Sequence, residues 1–343
     1  MWKLRQPTVT DLQNYEIMML QDLFDRINAC GVAVIKDSLI PVLPNGYRDK
    51  SILKTLLTGG VYASYQESER LMGQIFNGYS RTELNLYFKA KYTDKGKRTN
   101  PQKNLIAKYH DKMEELLKVM GYKEAFSKVK DAYDVTEWKG AKACTYCNRN
   151  YIFTISTGTR KKDKVARPEL DHWYAKSKYP LLSMNYYNLI PSCSTCNSSV
   201  KGSADFDVMT HVHPYLQKKY NPSFDFCYNP AAPQYERVTI DDRQATDREK
   251  RTFDAFKLKT VYNCHADLEA KELYDLAVRH GPRYLKDLLN LLAVDYPDKA
   301  EQDIYRMLFG VELDPHRFGE RPMSKFKYDL LKRMKILKNG HYM

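Results

Sequence analysis

The chain has 343 residues, and its 55 Lys and Arg against 42 Asp and Glu give a formal net charge of +13, which favours a polyanionic partner. Its hydrophobic fraction of 43% is enough for a folded core, and its length suits two or three domains. No apolar run approaches the ~18 residues of a membrane span, and the first residues lack a signal-peptide core, so a cytoplasmic protein without a membrane anchor is expected.

The first part of the chain, residues 1–138, has mainly helical patterns. Apolar residues recur at helical spacing from Leu12 to Ile27, behind a candidate cap at Thr10-Asp11. Further helices are predicted at residues 51–57, 62–78, 81–92 and 102–120. The stretch 32–42 is short and β-like, and the basic loop 91–101 is either a solvated connector, which is favoured, or a phosphate contact. We recognise no active-site pattern in this region.

Two Cys-x-x-Cys pairs mark the middle of the chain, Cys144 with Cys147 and Cys193 with Cys196. Four thiolates satisfy tetrahedral Zn²⁺ without leaving an open position, so such a site stabilises the fold and supplies no chemistry. The seven cysteines are an odd number, which argues against a disulfide framework. The sequence therefore predicts a structural zinc site. The two pairs are much farther apart than the about 15 to 20 residues of a plain zinc ribbon.

The segment between the two cysteine pairs contains two predicted strands, 151–155 and 165–170, which we expect to form a hairpin. The basic turn that joins them, 158–164, either contacts a phosphate backbone or keeps the hairpin soluble. Asp171 and His172 follow the second strand. Because adjacent strand residues point to opposite faces, we expect this strand to end at or just before His172. A helix is expected from about Asn197.

Three polar residues of this segment have the chemistry that phosphodiester cleavage requires, and Asn188 lies between them in the sequence. A neutral imidazole such as His172 is a suitable base near pH 7. Carboxylate and amide oxygens, from Asp171 and Asn197, are ligands that suit Mg²⁺. Taken singly, each residue has a plainer interpretation: Asp171-His172 as a surface pair, Asn188 as a turn residue and Asn197 as a helix N-cap. Their order between two zinc knuckles favours a nuclease site.

The same residues also match a known pattern. Leu170-Asp171-His172, Asn188-Leu189-Ile190-Pro191, Cys193-Ser194-Thr195-Cys196-Asn197 and Lys201-Gly202 together resemble the HNH endonuclease signature, over residues 141–205. In that family a ββα-metal element carries the site, and many members brace it with two Cys-x-x-Cys knuckles.

This resemblance implies a role for each matching residue. His172 would be the general base, Asp171 and Asn197 would hold one Mg²⁺ or Mn²⁺, and Asn188 would fix the loop and orient the base. Asn197 stands where the family often has His, but many members carry Asn there, so no loss of activity is implied. Three lysines are candidates for contacts with nucleic-acid phosphates: Lys176, Lys178 and Lys201.

The remainder of the chain is expected to be mainly helical from Asp247, after two short strands at 224–228 and 235–240. His211 and His213 form a His-x-His pair, for which a structural role is favoured over metal binding. Cys227 and Cys264 are expected to be buried. The helical flanks, including the stretch Arg321-Pro322 to Lys325-Phe326, resemble those of HNH subunits of Septu-type bacterial anti-phage systems. This resemblance implies a partner ATPase.

The sequence thus predicts an α+β fold, with a small zinc-braced ββα-metal core embedded between mainly helical N- and C-terminal regions. The expected domains are residues 1–138, 139–215 and 216–343. The expected function is that of a metal-dependent endonuclease on nucleic acid, with DNA the expected substrate, acting as an anti-phage effector. The alternatives are a non-catalytic zinc-ribbon module that binds nucleic acid or protein, and a defence effector held silent by a partner.

Overall fold

The computed structural model describes residues 3–127, 129–157, 163–202, 204–217, 223–226, 238–276, 283–284, 287, 290–291 and 300–334. The chain divides into two compact units, each made of separate segments. The helical unit comprises Gln6–Trp138 and Leu170–Ile190, and the cysteine unit comprises Met1–Arg5, Lys139–Glu169 and Pro191–Met343. Helices and small antiparallel sheets together make an α+β fold, as predicted. Three consecutive domains were expected from the sequence, which is a different division of the chain.

Eight helices in chain order account for most of residues 9–139. They are α1 (Val9–Asn28), α2 (Ala33–Leu39), α3 (Ser51–Thr58), α4 (Val61–Ile75), α5 (Arg81–Tyr92), α6 (Asn100–Val119), α7 (Tyr122–Ser127) and α8 (Val129–Lys139). Helix α1 starts behind Thr8, two residues before the expected cap, because Thr8 and Asp11 form a reciprocal capping box. Its buried stripe is Tyr15, Met19, Leu23 and Ile27, at a spacing of four residues.

One predicted strand in this region is wrong. The β-like stretch 32–42 contains helix α2, whose Ile35 and Leu39 are buried one turn apart. β-Branched residues favour strands only weakly, and burial of one helical face overrides that preference here. The helices expected at 51–57, 62–78, 81–92 and 102–120 are confirmed within a few residues at each end.

The strands of the middle segment differ from the predicted hairpin. Strand β1 (Ile155–Thr157) pairs with β2 (Asp163–Ala166), and Ile155 lies opposite Ala166. Pro168 then separates β2 from a third strand, β3 (Glu169–His172), because proline cannot donate to a ladder. Asp171 and His172 therefore lie on β3, outside the β1–β2 hairpin. Strand β3 pairs with β4 (Leu189–Ser192) and ends at His172, as predicted.

The cysteine unit continues with a π-helix at Thr195–Lys201, where a helix was expected. Strands β5 (Ser223–Phe226) and β6 (Val238–Asp241) form an antiparallel pair, so the two short strands predicted here are found in part, and residues 227–237 lie outside the described chain. Helices α9 (Asp247–Ala255), α10 (Leu258–Asn263), α11 (Ala300–Phe309) and α12 (Ser324–Arg333) follow, with a short π-helix at Ala266–Ala270.

The core of this unit contains a group of packed aromatic side chains. The rings of Phe224 and Tyr262 lie 4.2 Å apart, and Phe326 of α12 lies 5.0 Å from Tyr262. These side chains come from β5, α10 and α12, so their packing joins the C-terminal helices to the β5–β6 pair.

Of the two isolated cysteines that were expected to be buried, the structure describes only Cys264. Cys264 is exposed, which contradicts the prediction that it is buried, because it follows the end of α10 and points away from the core. Cys227 and residues 158–162 of the basic turn lie outside the described residues.

In the part of the chain that the structure describes, no helix combines the length and apolarity needed to cross a membrane.

Candidate functional site

The four cysteines of the two Cys-x-x-Cys pairs lie together in the cysteine unit. All four are buried, and their sulfur atoms lie within 4.8 Å of one another. The Sγ atoms of Cys147 and Cys193, one from each pair, are 4.0 Å apart. Four sulfurs placed ~2.3 Å from a tetrahedral Zn²⁺ would be ~3.8 Å apart. The cluster can therefore hold a metal ion such as zinc.

Backbone amides point at two of the sulfur atoms. The Arg149 amide donates to Cys147 Sγ at 3.4 Å, and the Cys193 amide donates to Cys144 Sγ at 3.3 Å. The first knuckle closes when the Asn148 amide donates to the Cys144 carbonyl at 2.8 Å. Asn148 has a φ of 52°, the left-handed conformation that Asn tolerates better than most residues. Amide donors stabilise thiolates, the form in which cysteine binds metal.

The four thiols also perturb one another. A hydrogen bond from Cys144 lowers the pKa of Cys147 to about 7, and bonds from the other thiols lower the pKa of Cys193. Burial raises the pKa of Cys144. Four thiolates so close together repel one another in a buried site, so a bound cation is what allows all of them to lose their protons.

The first knuckle is held by the C-terminal part of the same unit. Tyr262, fully buried, donates its hydroxyl proton to the Cys147 carbonyl at 2.5 Å. Asn148 Nδ2 donates to the Phe318 carbonyl at 2.9 Å, and the Met323 amide donates to the Asn148 carbonyl at 2.6 Å. The loop geometry therefore depends on residues that lie more than a hundred positions further along the chain.

Asn197, beside the second knuckle, has a partner that the sequence did not reveal. Its Nδ2 donates to Glu169 Oε2 at 2.8 Å, and Ser198 Oγ lies 3.4 Å from the same oxygen. Because Nδ2 is used in this way, Oδ1 is the side-chain atom of Asn197 that can bind a cation. The available signal for Glu169 was its position two residues before Asp171, the spacing that places strand residues on one face.

His172 ends strand β3 in the helical unit and is half-buried. Its Nε2 lies 2.9 Å from the Ser183 carbonyl oxygen. A carbonyl can only accept, so Nε2 carries the hydrogen and Nδ1 is the proton acceptor of the neutral ring. The Tyr122 ring meets the imidazole edge-on, with centroids 4.3 Å apart and planes at 74°. These two contacts fix both the tautomer and the orientation of the ring.

Asn188 is buried and makes three hydrogen bonds through its side chain. Its Oδ1 accepts from the Tyr174 amide at 2.6 Å, and its Nδ2 donates to the Tyr174 carbonyl at 3.2 Å and the Leu182 carbonyl at 2.9 Å. Its own carbonyl accepts from the Trp173 amide at 2.9 Å. Asn188 therefore fixes the chain directly after His172 and the residue directly before Ser183.

The predicted catalytic residues are divided between the two units. Asp171, which is 3% exposed, His172 and Asn188 belong to the helical unit. Asn197 belongs to the cysteine unit, with the four cysteines and Glu169.

The three candidate lysines differ in exposure. Lys176 and Lys178 are half-buried, with Lys176 Nζ 5.3 Å from the centre of the Tyr122 ring. Lys201 is only 4% exposed, and its Nζ lies 5.1 Å from the centre of the Phe206 ring. The long side chain of Lys201 therefore packs into the cysteine unit, and its contact with a nucleic-acid phosphate stays a prediction.

The His-x-His pair is also part of the packing. His213 is fully buried, and burial lowers its pKa to about 3. His213 Nδ1 accepts from the Tyr215 amide at 3.3 Å. The His211 ring stacks on Phe206 with centroids 4.0 Å apart. These contacts agree with the structural role favoured for the pair.

Comparisons of the chain with models of protein families, with curated proteins and with solved structures found no match.

Proposed function

We propose that the protein is a metal-dependent HNH endonuclease that cleaves phosphodiester bonds in nucleic acid, with DNA the expected substrate. The observation that carries this proposal is the tautomer of His172, which its contact with the Ser183 carbonyl defines. A half-buried imidazole has its Nε2 hydrogen held by a backbone carbonyl, which makes Nδ1 the basic atom. A neutral histidine with one defined basic nitrogen is suited to general-base catalysis near pH 7.

His172 Nδ1 would take a proton from the attacking water. The hydroxide formed would attack phosphorus in line with the leaving oxygen, and the bond from phosphorus to that oxygen would break. The leaving oxygen stays on the cut strand and takes up a proton from water. The imidazolium that results is stabilised by the Ser183 carbonyl, which accepts the Nε2 hydrogen at 2.9 Å. Asn188 keeps this carbonyl in place by holding the neighbouring Leu182 carbonyl at 2.9 Å.

The resemblance implies Mg²⁺ or Mn²⁺ with Asp171 and Asn197 as its ligands. Taken one at a time, each residue has an oxygen that suits a hard ion: the carboxylate of Asp171, and Oδ1 of Asn197, whose Nδ2 donates to Glu169. Such an ion would neutralise charge that develops on the phosphate and the leaving oxygen.

The cysteine cluster fits a structural Zn²⁺, because four sulfurs complete the coordination sphere. Zinc there would also order the neighbourhood of Asn197, which follows Cys196 directly and donates its amide hydrogen to the Cys193 carbonyl at 3.1 Å. In this proposal the zinc positions a catalytic residue and takes no part in the reaction.

A second candidate, the non-catalytic zinc module that binds nucleic acid, is favoured by one feature of the surface. Tyr151 and Phe153 are 52% and 43% exposed, and their rings stack with centroids 4.7 Å apart. Exposed aromatic faces on a basic protein can stack on bases. This module would bind nucleic acid but would not depend on His172.

The anti-phage role and the partner ATPase are supported only by the resemblance of residues 321–326. In the structure, side chains of this stretch pack against and pair with other residues of the cysteine unit. Phe326 is fully buried, Lys325 pairs with Asp329 inside α12, and Arg321 lies 3.8 Å from the buried Glu312. The Lys325 and Phe326 side chains are therefore occupied by packing within this unit.

The deciding experiment is a cleavage assay on plasmid, single-stranded DNA and RNA, with Mg²⁺ added or chelated. We expect His172→Ala to slow cleavage by about 10² to 10⁴ while the fold, the zinc content and nucleic-acid binding persist. Asp171→Ala and Asn197→Ala should be partly rescued by high Mg²⁺ or by Mn²⁺, and His172→Ala should not.

The matched control is His110→Ala, which removes a partly exposed histidine of α6 in the same unit. It should cleave at the parent rate. A His172→Ala protein that cuts as fast as this control would refute the nuclease and leave the zinc module as the better proposal.

A further inference from the structure

The connection between α5 and α6 in the helical unit, residues 93–99, is a turn whose shape is fixed by hydrogen bonds. A short 3₁₀ turn, Lys95–Lys97, lies in its middle. Arg98 then folds back on the end of α5, donating from Nε to the Ala90 carbonyl at 3.0 Å and from Nη2 to the Lys91 carbonyl at 2.9 Å. The last carbonyls of a helix lack intrahelical partners, so Arg98 caps α5 and is part of the fold.

Four lysines around this turn are exposed, and we call them the lysine surface. Lys89 lies in the last turn of α5, and Lys95 and Lys97 lie in the 3₁₀ turn. Lys103 lies at the start of α6. Because Arg98 holds the turn against α5, these lysines are presented at one end of the two helices.

The carboxylates nearby do not neutralise the lysine surface. One carboxylate, Asp94, lies in the sequence between the first and last of these lysines. It lies 3.4 Å from Lys97, and because both side chains are exposed the pair contributes little. Glu114 of α6 reaches α5, but it pairs with Lys91 at 2.6 Å. The first acidic residue of α6, Asp111, is about 12 Å along the helix from the last lysine of the surface. The other three lysines of the surface form no ion pair within the described residues.

Two observations indicate that this surface serves binding and not the fold. The start of a helix favours negative side chains, yet the first turn of α6 has no acidic residue and Lys103 lies there. Tyr92, the last residue of α5, is 78% exposed, so most of its ring is free of contact with the protein. An exposed aromatic ring beside lysines is the combination with which proteins bind unpaired nucleic acid, because every base has a face that can stack.

We infer that the lysine surface and Tyr92 bind the backbone of a nucleic acid. The ammonium groups contact phosphate oxygens without regard to sequence and displace the counterions that phosphates hold. Tyr92 stacks on a base where the strand is unpaired. An acidic protein segment would pair with the lysines but would offer no base to the exposed ring. This inference rests on the proposal that nucleic acid is the substrate, and it names a surface of the helical unit that holds it.

The test is nucleic-acid binding by the full chain, measured by fluorescence anisotropy. Divalent ions are left out so that metal-dependent cleavage does not interfere. The probes are a short labelled DNA duplex and a single strand of the same length, between about 50 and 200 mM salt. Poly-L-glutamate is the competitor that offers carboxylates without phosphates or bases. We expect both DNA probes to bind and poly-L-glutamate to displace them less well than unlabelled DNA does.

Lys97→Gln and Lys118→Gln form a matched pair of variants. Each removes one lysine that is 80% or 78% exposed and that has a carboxylate three positions earlier, at 3.4 or 3.5 Å. Lys118 lies about 22 Å along α6 from Lys103, farther than exposed charges act at about 0.1 M salt. Lys97→Gln should reduce the slope of log affinity against log salt by about 1 and weaken binding about fivefold to tenfold at about 0.1 M salt. Lys118→Gln should change neither.

Two further variants extend the comparison. Combining Lys95→Gln, Lys97→Gln and Lys103→Gln should reduce the slope by about 3, because each phosphate contact contributes about 0.9. The melting temperature of the free protein should persist, because these exposed side chains hold no buried group. Tyr92→Ala should weaken binding of the single strand about fivefold or more, and should leave binding of the duplex unchanged.

The inference is overturned if the triple variant and Lys97→Gln have the same slope as Lys118→Gln. It is also overturned if poly-L-glutamate displaces the probes as well as DNA does, which would assign the surface to an acidic protein segment. If Tyr92→Ala binds the single strand like the parent, the part that concerns Tyr92 is wrong. Binding and cleavage are measured separately, so a chain that binds through these lysines without cutting would refute only the nuclease proposal.

Discussion

Replacing Asn188 with alanine tests the part of the site that the structure defines most closely. The change removes all three side-chain hydrogen bonds of Asn188. It leaves the Tyr174 amide, the Tyr174 carbonyl and the Leu182 carbonyl without these partners. All of these groups belong to buried residues, so water does not readily replace the lost amide.

The size of the effect follows from the number of groups left unpaired. A hydrogen bond contributes about 1 kcal/mol net, and a buried group left unpaired costs about 1–3 kcal/mol. The Leu182 carbonyl still accepts from the Asn185 amide at 3.1 Å, so two groups lose their partner and one keeps a second bond. Together they give an expected loss of about 3–5 kcal/mol in the free energy of unfolding, once partial relaxation of the loop is allowed. Domains are stable by only about 5–15 kcal/mol, so this loss removes a large part of the total stability.

The matched control is Ser183→Ala, in the same loop. Its hydroxyl donates one long bond, 3.4 Å, to the Met120 carbonyl, and the Ser183 carbonyl that contacts His172 is retained. This control should lose less than about 1 kcal/mol.

Urea unfolding gives the global value for both variants, and hydrogen exchange measured by mass spectrometry gives the local one. In Asn188→Ala the amide of Tyr174 should exchange much faster than in the parent, because its acceptor has gone. The reasoning fails if Asn188→Ala and Ser183→Ala are equally stable and residues 173–182 keep the parent exchange rate.

Two further predictions concern the cysteine unit. The folded pKa of His213, about 3, lies below its unfolded value of about 6.5, so the unfolded chain takes up the proton first as the pH falls. His213 should therefore reduce the free energy of unfolding by about 2 kcal/mol between pH 7 and pH 5, and His213→Leu should lack this component; equal pH dependence of parent and variant in urea titrations would contradict it. The second prediction is that elemental analysis finds about one tightly held Zn²⁺ per chain, and that Cys147→Ser loses both the metal and much of the soluble yield. Well-folded parent protein without zinc would exclude the metal site.

Helical periodicity predicted the N-terminal elements well where one face is strongly apolar. Helix α1 has a buried apolar stripe from Tyr15 to Ile27, and helix α6 has a similar one from Tyr109 to Val119. Each helix also has a capping box at its start. Periodicity failed at 32–42, where the helix has only seven residues and β-branched residues suggest a strand. A stretch so short has too few turns for its period to be distinguished.

The cysteine cluster was predictable because its spacing carries the chemistry. The remaining contacts of the site were not, for a physical reason. The partner of His172 is a backbone carbonyl, and a carbonyl has no residue identity that a sequence pattern could show. The engagement of Asn197 by Glu169 depends on two residues that are 28 positions apart. The burial of Lys201 could not be predicted either, because it depends on the Phe206 ring, which the motif does not contain.

The Cys147–Cys193 contact also has a consequence for chain entropy. The two sulfurs are 4.0 Å apart in space and 46 positions apart in sequence, and every residue from Asp171 to Asn188 lies in the loop between them. A metal held by both cysteines would act as a cross-link that closes this loop. Closing a loop of that length lowers the conformational entropy of the unfolded chain. On the entropy model used for disulfides, this stabilises the folded protein by about 4 kcal/mol. The proposed base, His172, and Asn188, which holds the chain beside it, would thus lie inside a loop whose closure depends on zinc, although neither residue touches the metal.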